Sequence, residues 1–288
     1  VILIDLNQVM ISNLMAQLGN HARGEIEEDL FRNMVLNSLR SYRTQFSQEE
    51  YGDLVICADD RRYWRRDIFP NYKANRKKTR DESDYDWNHI FGCLNRFRDE
   101  LKDVAPYRVL QIPHAEADDI IATLCIRHGT LIDRTEKIMI LSGDKDFMQL
   151  QVYGNVEQYD PVRHKPITTD DPHRYLREHI LRGDRGDGIP NIVSDDSCIV
   201  EGRRQKPLAK KRVEFLSQIP DLENVLTDEQ YANFKRNELL IDLHMVPESI
   251  QQLVLAAYED QSGKDKVLFK QYLEDHNMKI LLEKFGDF

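Results

Sequence analysis

Acidic residues recur where short apolar runs end. ILID closes on Asp5, and VICAD closes on Asp59 with Asp60 next. HAEADD carries Glu116, Asp118 and Asp119, and LSGDKD carries Asp144 and Asp146. A further element, RGDRGD, holds Asp184 and Asp187. Carboxylates brought to one point in low dielectric need large pKa shifts or cations to coexist. Hard divalent ions with oxygen ligands meet that need, and magnesium suits a set of few carboxylates and retained waters. Asp5, Asp59, Glu116, Asp118, Asp144, Asp146, Asp184 and Asp187 together suit two ions better than one. Two ions about 3.5–4 Å apart are the arrangement that activates water and stabilises the leaving oxygen in phosphodiester cleavage. An acid after a strand is also an ordinary helix N-cap or first-turn residue. Asp60, Asp119 and Asp146 each admit that reading. It accounts poorly for Asp5, Asp59, Asp118 and Asp144 taken together. His114 reads as a turn residue, since magnesium prefers oxygen.

The cations are as unevenly spread as the acids. The net charge is −10 over 288 residues, which on its face argues against a nucleic-acid partner. Residues 61–80, RRYWRRDIFPNYKANRKKTR, hold nine Lys/Arg against Asp67, a net of +8. Residues 203–212, RRQKPLAKKR, add +6, so the remaining 258 residues carry −24. The first island interleaves Tyr63, Trp64, Phe69 and Tyr72 with its cations, a pattern suited to phosphates beside stacked bases. The second has no aromatic residue and reads equally as a flexible loop or a phosphate clamp.

Strand–helix alternation must position these groups. Residues 1–6, 54–58, 108–112 and 137–141 are β-branched or aliphatic runs of strand length. Residues 25–46, 86–104 and 117–128 have apolar residues at helical spacing. Residues 156–169 add a strand or hairpin. From 171 onward, 172–181, 209–219, 227–243, 248–260 and 266–285 all read as helices, with Thr227 and Gln230 spaced as a capping box. The pattern predicts a doubly wound α/β fold, a mostly parallel sheet with helices on both faces, over residues 1–170. A smaller α-helical lobe is expected over 171–288. Ligands of such sheets sit at the strands' carboxyl ends near the topological switch, where the acids fall. The length supports a real core without staples, and the four separated cysteines form no CxxC pair, against a disulfide framework or zinc site. No apolar run approaches the roughly 20 residues of a membrane helix, and the apolar start meets Asp5 too early for a signal peptide. A cytoplasmic protein is expected. P-loop, Rossmann and GxSxG patterns are absent.

In order, ILIDL, VICADD, YWRRDIFPNYKANR, EADD, LSGDKDFMQL and RGDRGD resemble the flap endonuclease (5′-nuclease) family across essentially the whole chain. The combination of EADD with SGDKDF is highly specific, and YWRRD before YKxNR points to the family's phage branch. The resemblance implies that Asp5, Asp59, Glu116, Asp118 and Asp144 surround a first Mg²⁺. It implies that Asp146, Asp184 and Asp187 hold a second largely through waters, with Mn²⁺ able to substitute. Lys73 and Arg76 match the positions that contact the scissile phosphate, and Arg65 and Arg66 match the base of a basic helical arch over residues 61–82. Tyr72, Lys77, Arg203, Arg204, Lys210 and Lys211 complete the expected nucleic-acid surface. The implied activity is 5′ to 3′ exonuclease and flap endonuclease cleavage of RNA–DNA hybrids, duplexes and flaps. The implied setting is removal of lagging-strand RNA primers in phage replication, by a monomer in the host cytoplasm, alongside a single-stranded DNA-binding protein and a sliding clamp.

The resemblance lapses at the turn after Asp187. Gly188 stands where the family has Asn, and the chain runs on as IPNIVSDDSCIVEGRRQKPLAKKR instead of a glycine-rich helix–turn–helix. The family's potassium site is therefore not carried over, and the second basic island is expected to serve the duplex grip. Two other classes compete. A non-catalytic nucleic-acid-binding replication accessory would use the same cations but leaves the acids unexplained. A haloacid-dehalogenase-type phosphatase needs Asp-x-Asp after the first strand, and the chain has Asp5-Leu6-Asn7.

Overall fold

The computed structural model describes residues 1–20, 26–131 and 136–288. Six strands form one sheet in the order β3-β2-β1-β4-β5-β6. They are β1 (Ile2–Asp5), β2 (Leu54–Ala58), β3 (Arg108–Gln111), β4 (Ile138–Leu141), β5 (Val156–Asp160) and β6 (Lys165–Ile167). Neighbours are parallel from β3 through β5, and β6 returns antiparallel as a hairpin on β5. The 156–169 segment thus supplies both a strand and a hairpin. The topological switch lies between β1 and β4, since the chain first builds outward through β2 and β3 and then returns to the other side of β1.

Side-chain alternation explains why these runs lack polar positions. Ile2, Ile4, Leu54, Ile56, Met139 and Leu141 enter one core, while Leu3, Val55, Cys57, Ile138 and Ile140 enter the other. Both faces are covered, so both phases of the period must be apolar. The first core also takes residues from helices Leu6–Asn20, Glu28–Gln45 and Trp87–Val104, and the second from Ala117–Leu131 and Glu248–Asp260. Helix 25–46 is realised as Glu28–Gln45; Glu25 lies outside the described residues.

Several expected elements are refined. Helix Leu6–Asn20 was not anticipated; it starts directly on the residue after Asp5, so β1 stops at Asp5 and not at Leu6. Residues 266–285 do not form one helix. Lys266–Asp275 and Lys279–Glu283 are separated at Asn277, whose φ of 52° is the left-handed conformation that ends a helix. Thr227 does cap its helix, accepting the Gln230 amide N–H.

The last third is not one separate lobe. Residues 180–241 build a third core of their own with Phe69 and Tyr72. Ile250 and Val254 instead join the second core, and Phe269, Tyr272, Leu273, Leu281 and Phe288 the first. No helix of the described residues is long and apolar enough to cross a membrane.

Candidate metal centre and nucleic-acid interface

Strand geometry delivers the acids to one edge. Asp5 is the last residue of β1, and Asp59 directly follows β2, whose Cys57 pairs with Asp5. Asp118 lies in the first turn of helix Ala117–Leu131, and Asp144 caps the 3₁₀ helix Lys145–Val152 after β4. Local bonds aim each carboxylate. Asp5 accepts the Gln8 amide at 3.1 Å and the Ser142 hydroxyl at 3.3 Å. Asp59 accepts the Ala117 amide at 2.7 Å and the Asn7 side-chain amide. Asp144 accepts the Asp146 amide at 3.0 Å.

The electrostatics show groups set against one another. Burial, then the charges of Asp59 and Asp144, pushes the Asp5 carboxyl up to about 7. Burial, then Asp144, lifts Asp118 well above its usual range, and burial, then Glu116, raises Asp59. Lys73 opposes the rise at Asp59 and Asp118 without pairing with either. Asp5, Asp59, Asp118 and Asp144 have no ion-pair partner among the described residues. Four carboxylates at one sheet edge without ion-pair partners suit hard divalent cations with oxygen ligands.

Glu116 is different. It is 1% exposed and accepts from Arg65 at 3.1 Å, from the Tyr72 hydroxyl at 2.8 Å and from the Lys73 ammonium. Burial opposes its charge, but Lys73 and Arg65 outweigh it and hold the carboxyl below its usual range. Burial likewise opposes the charge on Lys73, yet Tyr72, Glu116 and Asp187 keep its pKa well above the ordinary value. The raised pKa and the bond to Glu116 make Lys73 a donor and not a base.

The acidic turn closes the other side. Asp146, His179 and Asp184 offer ligand atoms that lie within 4.8 Å of one another. Burial, then Asp144, raises Asp146 to about 7. Burial works against the Asp184 charge, but a bond from His179 and the Asp187 amide at 3.0 Å hold it low. Asp187 receives Arg76 and, at 3.1 Å, the Tyr72 hydroxyl. The arch main chain is tied to the same turn: the Lys73 amide donates to the Asp187 carbonyl at 2.7 Å and Asn75 Nδ2 to the Arg185 carbonyl at 3.0 Å. Lys73 holds φ 55°, an uncommon left-handed setting for a side chain of its size.

Three expected nucleic-acid contacts, Arg65, Tyr72 and Lys73, are buried. Arg65 is 2% exposed, donates to the Leu240 carbonyl at 2.9 Å, and pairs with Asp119 at 2.8 Å and Glu116. No face of its guanidinium is left for a phosphate, so it ties the arch base to the acid site. Tyr72 is 3% exposed and engages Glu116 and Asp187 by its hydroxyl instead of offering a ring to a base. Trp64 and Phe69 are buried as well, so most of the arch aromatics serve the core. Arg66, Arg76, Lys77, Arg203, Arg204, Lys210 and Lys211 are exposed.

Asp119 follows the structural alternative as a first-turn residue, whereas Asp60 lies in the loop before helix Trp64–Ile68 and caps no helix. Asp60 accepts the His114 amide at 2.9 Å, and Asp119 accepts the Glu116 amide at 2.9 Å and the Trp64 indole at 3.1 Å. Asp146 lies in the first turn of the 3₁₀ helix that Asp144 caps and also stands beside His179 and Asp184. His114 is indeed a turn residue, at φ 64°. The second basic island is tied down: Asn191 bonds the Gln205 side chain and the Lys206 carbonyl, and the Lys206 amide bonds Ser194. No helix is present between Arg182 and Lys210, so the turn is not a helix–turn–helix. His179 was missed by the sequence reading. Its helix, Pro172–Arg182, buries Ile180 and Leu181, and the adjacent His on that stripe was the available signal.

Sheet order, acids on one edge and a basic segment docked across them define the class: the chain belongs to the 5′–3′ exonuclease family. The "5′-3′ exonuclease, N-terminal resolvase-like domain" matches residues 1–179, and "T4 RNase H, C terminal" matches residues 174–288. The chain is 32% identical to the ribonuclease H of Enterobacteria phage T4 over 294 residues, covering 99% of this chain and 95% of that protein. A flap endonuclease Xni of Shewanella woodyi is 26% identical over 146 residues, 48% of this chain and 53% of that protein. In fold the chain is similar to a phage T5 protein co-crystallised with metal ions, at TM-score 0.62 and 14% identity, covering 96% of this chain and 98% of that one. It is equally similar, at TM-score 0.62 and 15% identity, to the T5 flap endonuclease in a pseudo-enzyme-product complex with DNA and metal ions, covering 90% and 98%. The chain is thus an enzyme, a nuclease, which sets aside the accessory and phosphatase readings.

Proposed function

We propose that this nuclease is a Mg²⁺-dependent 5′ to 3′ exonuclease and flap endonuclease acting on RNA–DNA hybrids, DNA duplexes and flaps. In a phage setting it removes lagging-strand RNA primers in the host cytoplasm, as a monomer working with a single-stranded DNA-binding protein and a sliding clamp. One observation carries the reading: four carboxylates without ion-pair partners stand beside cations held by the arch. Asp5, Asp59, Asp118 and Asp144, with Glu116, would hold the first ion, and Asp146, Asp184 and Asp187 the second. When bound, the ions supply an activated water and stabilise the leaving oxygen.

The chain's own residues do the rest. Lys73 and Arg76 bring positive charge to the phosphate, where charge develops in the transition state. An entering phosphate competes with Glu116 and Asp187 for them. Arg66, Lys77, Arg203, Arg204, Lys210 and Lys211 hold the flanking backbone without reading sequence. The test is a 5′-labelled flap and an RNA–DNA hybrid incubated with Mg²⁺ or EDTA. Short 5′ products with Mg²⁺ alone are expected; no cleavage with any divalent ion overturns the proposal.

A further inference from the structure

Beside the carboxylates, the acidic turn holds one nitrogen donor. His179 sits near the end of an eleven-residue helix, Pro172–Arg182, capped by Asp171 and anchored by buried Ile180 and Leu181. Its side chain is 14% exposed. The two ring nitrogens have different surroundings. Nε2–H donates to Asp184 Oδ2 at 3.2 Å, and Asp184 Oδ1 is fixed in turn by the Asp187 amide at 3.0 Å. Nδ1 is buried, stands 3.5 Å from Asp146 Oδ1, and has no hydrogen-bond partner. A carboxylate that takes one imidazole N–H while the other nitrogen faces the ion is how metal-binding histidines are oriented.

We propose that His179 Nδ1 is a direct ligand of the second cation, beside Asp146, with Asp184 orienting the ring. The site then has mixed nitrogen and oxygen donors. Imidazole adds affinity for first-row transition ions and little for Mg²⁺. The second position would therefore favour Mn²⁺ and heavier transition ions over Mg²⁺ more strongly than the first, all-oxygen position. This rests on reading the acid cluster as a divalent-cation centre.

The probe is Mn²⁺ itself, titrated by electron paramagnetic resonance into the whole chain, with pulsed measurement of ¹⁴N coupling. Wild-type protein should bind two Mn²⁺ and show imidazole ¹⁴N coupling. His179→Gln should lose that coupling and weaken the second Mn²⁺ by about tenfold or more, with Mg²⁺ competition changed much less. Two bound Mn²⁺ with no ¹⁴N coupling in the wild type overturn the inference. So does an equal loss of Mn²⁺ and Mg²⁺ in the variant. The wild-type coupling decides the matter even where His179→Gln fails to fold, and His179→Asn provides a second variant. Absence of any divalent binding overturns the nuclease mechanism along with this inference. Two bound ions and flap cleavage without coupling leave that mechanism standing and overturn the inference alone.

Discussion

Gly188 lies so close to the Asn71 carbonyl that a Cβ on it would stand 2.8 Å from that oxygen. The opposing atom is main chain, so it yields only by moving the arch. Gly188 also has φ +75°, which Asn tolerates better than most residues. For Gly188→Asn the clash therefore decides the outcome and not the dihedral. The variant should lose about 1–3 kcal/mol and expose residues 61–82 to trypsin. Denaturant unfolding and limited proteolysis measure both; unchanged protection of the arch would show that this contact does not hold it down.

Asp118→Asn and Asp144→Asn should each lower flap cleavage by about a hundredfold or more and leave flap affinity near its wild-type value. Removing one of several mutually repelling carboxyls should also raise the melting temperature in EDTA. Single-turnover cleavage, a binding isotherm and a thermal melt check the three parts. Retained Mg²⁺-dependent cleavage in both variants removes these residues from the centre.

Lys73→Ala should reduce the cleavage rate far more than duplex affinity. Its ammonium reaches Glu116 and Asp187, inside the acid site, whereas positioning cations lie on the exposed surface. An equal drop in affinity and rate would reduce Lys73 to a positioning cation.

Arg65→Met should destabilise the fold by about 3–5 kcal/mol, because it leaves Glu116 and Asp119 buried without their guanidinium. Chemical denaturation reads this directly. A change below about 1 kcal/mol is the surface-cation outcome.

Away from the site, burial opposes the Glu100 charge, but Arg32 and the Tyr272 hydroxyl outweigh it and hold the carboxyl below its usual range. A depressed carboxyl contributes stability above its unfolded pKa and loses it as pH falls through the folded one. The contribution of Glu100 should therefore fade from neutral pH into the acid range, so the melting-temperature difference between wild type and Glu100→Gln should shrink as pH falls. Parallel melts of the two proteins over that range decide it.

Strands and most helices were legible because burial on both faces forces unbroken apolar runs, and amphipathic helices repeat locally. The acids were legible because strand ends share an edge. What escaped depended on distant partners. Arg65 reads locally as one more cation of a basic island; its burial follows from Glu116, 51 residues away, and Leu240, 175 away. The arch rings looked like stacking platforms for the same reason, since Phe69 and Tyr72 find their core against residues 180–241. Helix Leu6–Asn20 begins without an intervening turn, and its Asn, Gln and Ser positions blur the stripe of Val9, Met10, Leu14 and Leu18. His179 stood outside every motif.

The sheet order also sets when a newly made chain can assemble its acid cluster. Asp5 and Asp59 emerge early, but β4 must slot beside β1 before Asp144 joins them, and Asp184 and Asp187 follow about 40 residues later. The cationic arch is synthesised well before this. A ribosome paused midway would thus carry a chain with its basic segment but without the complete acid set. The set is complete only once Asp187 has been made.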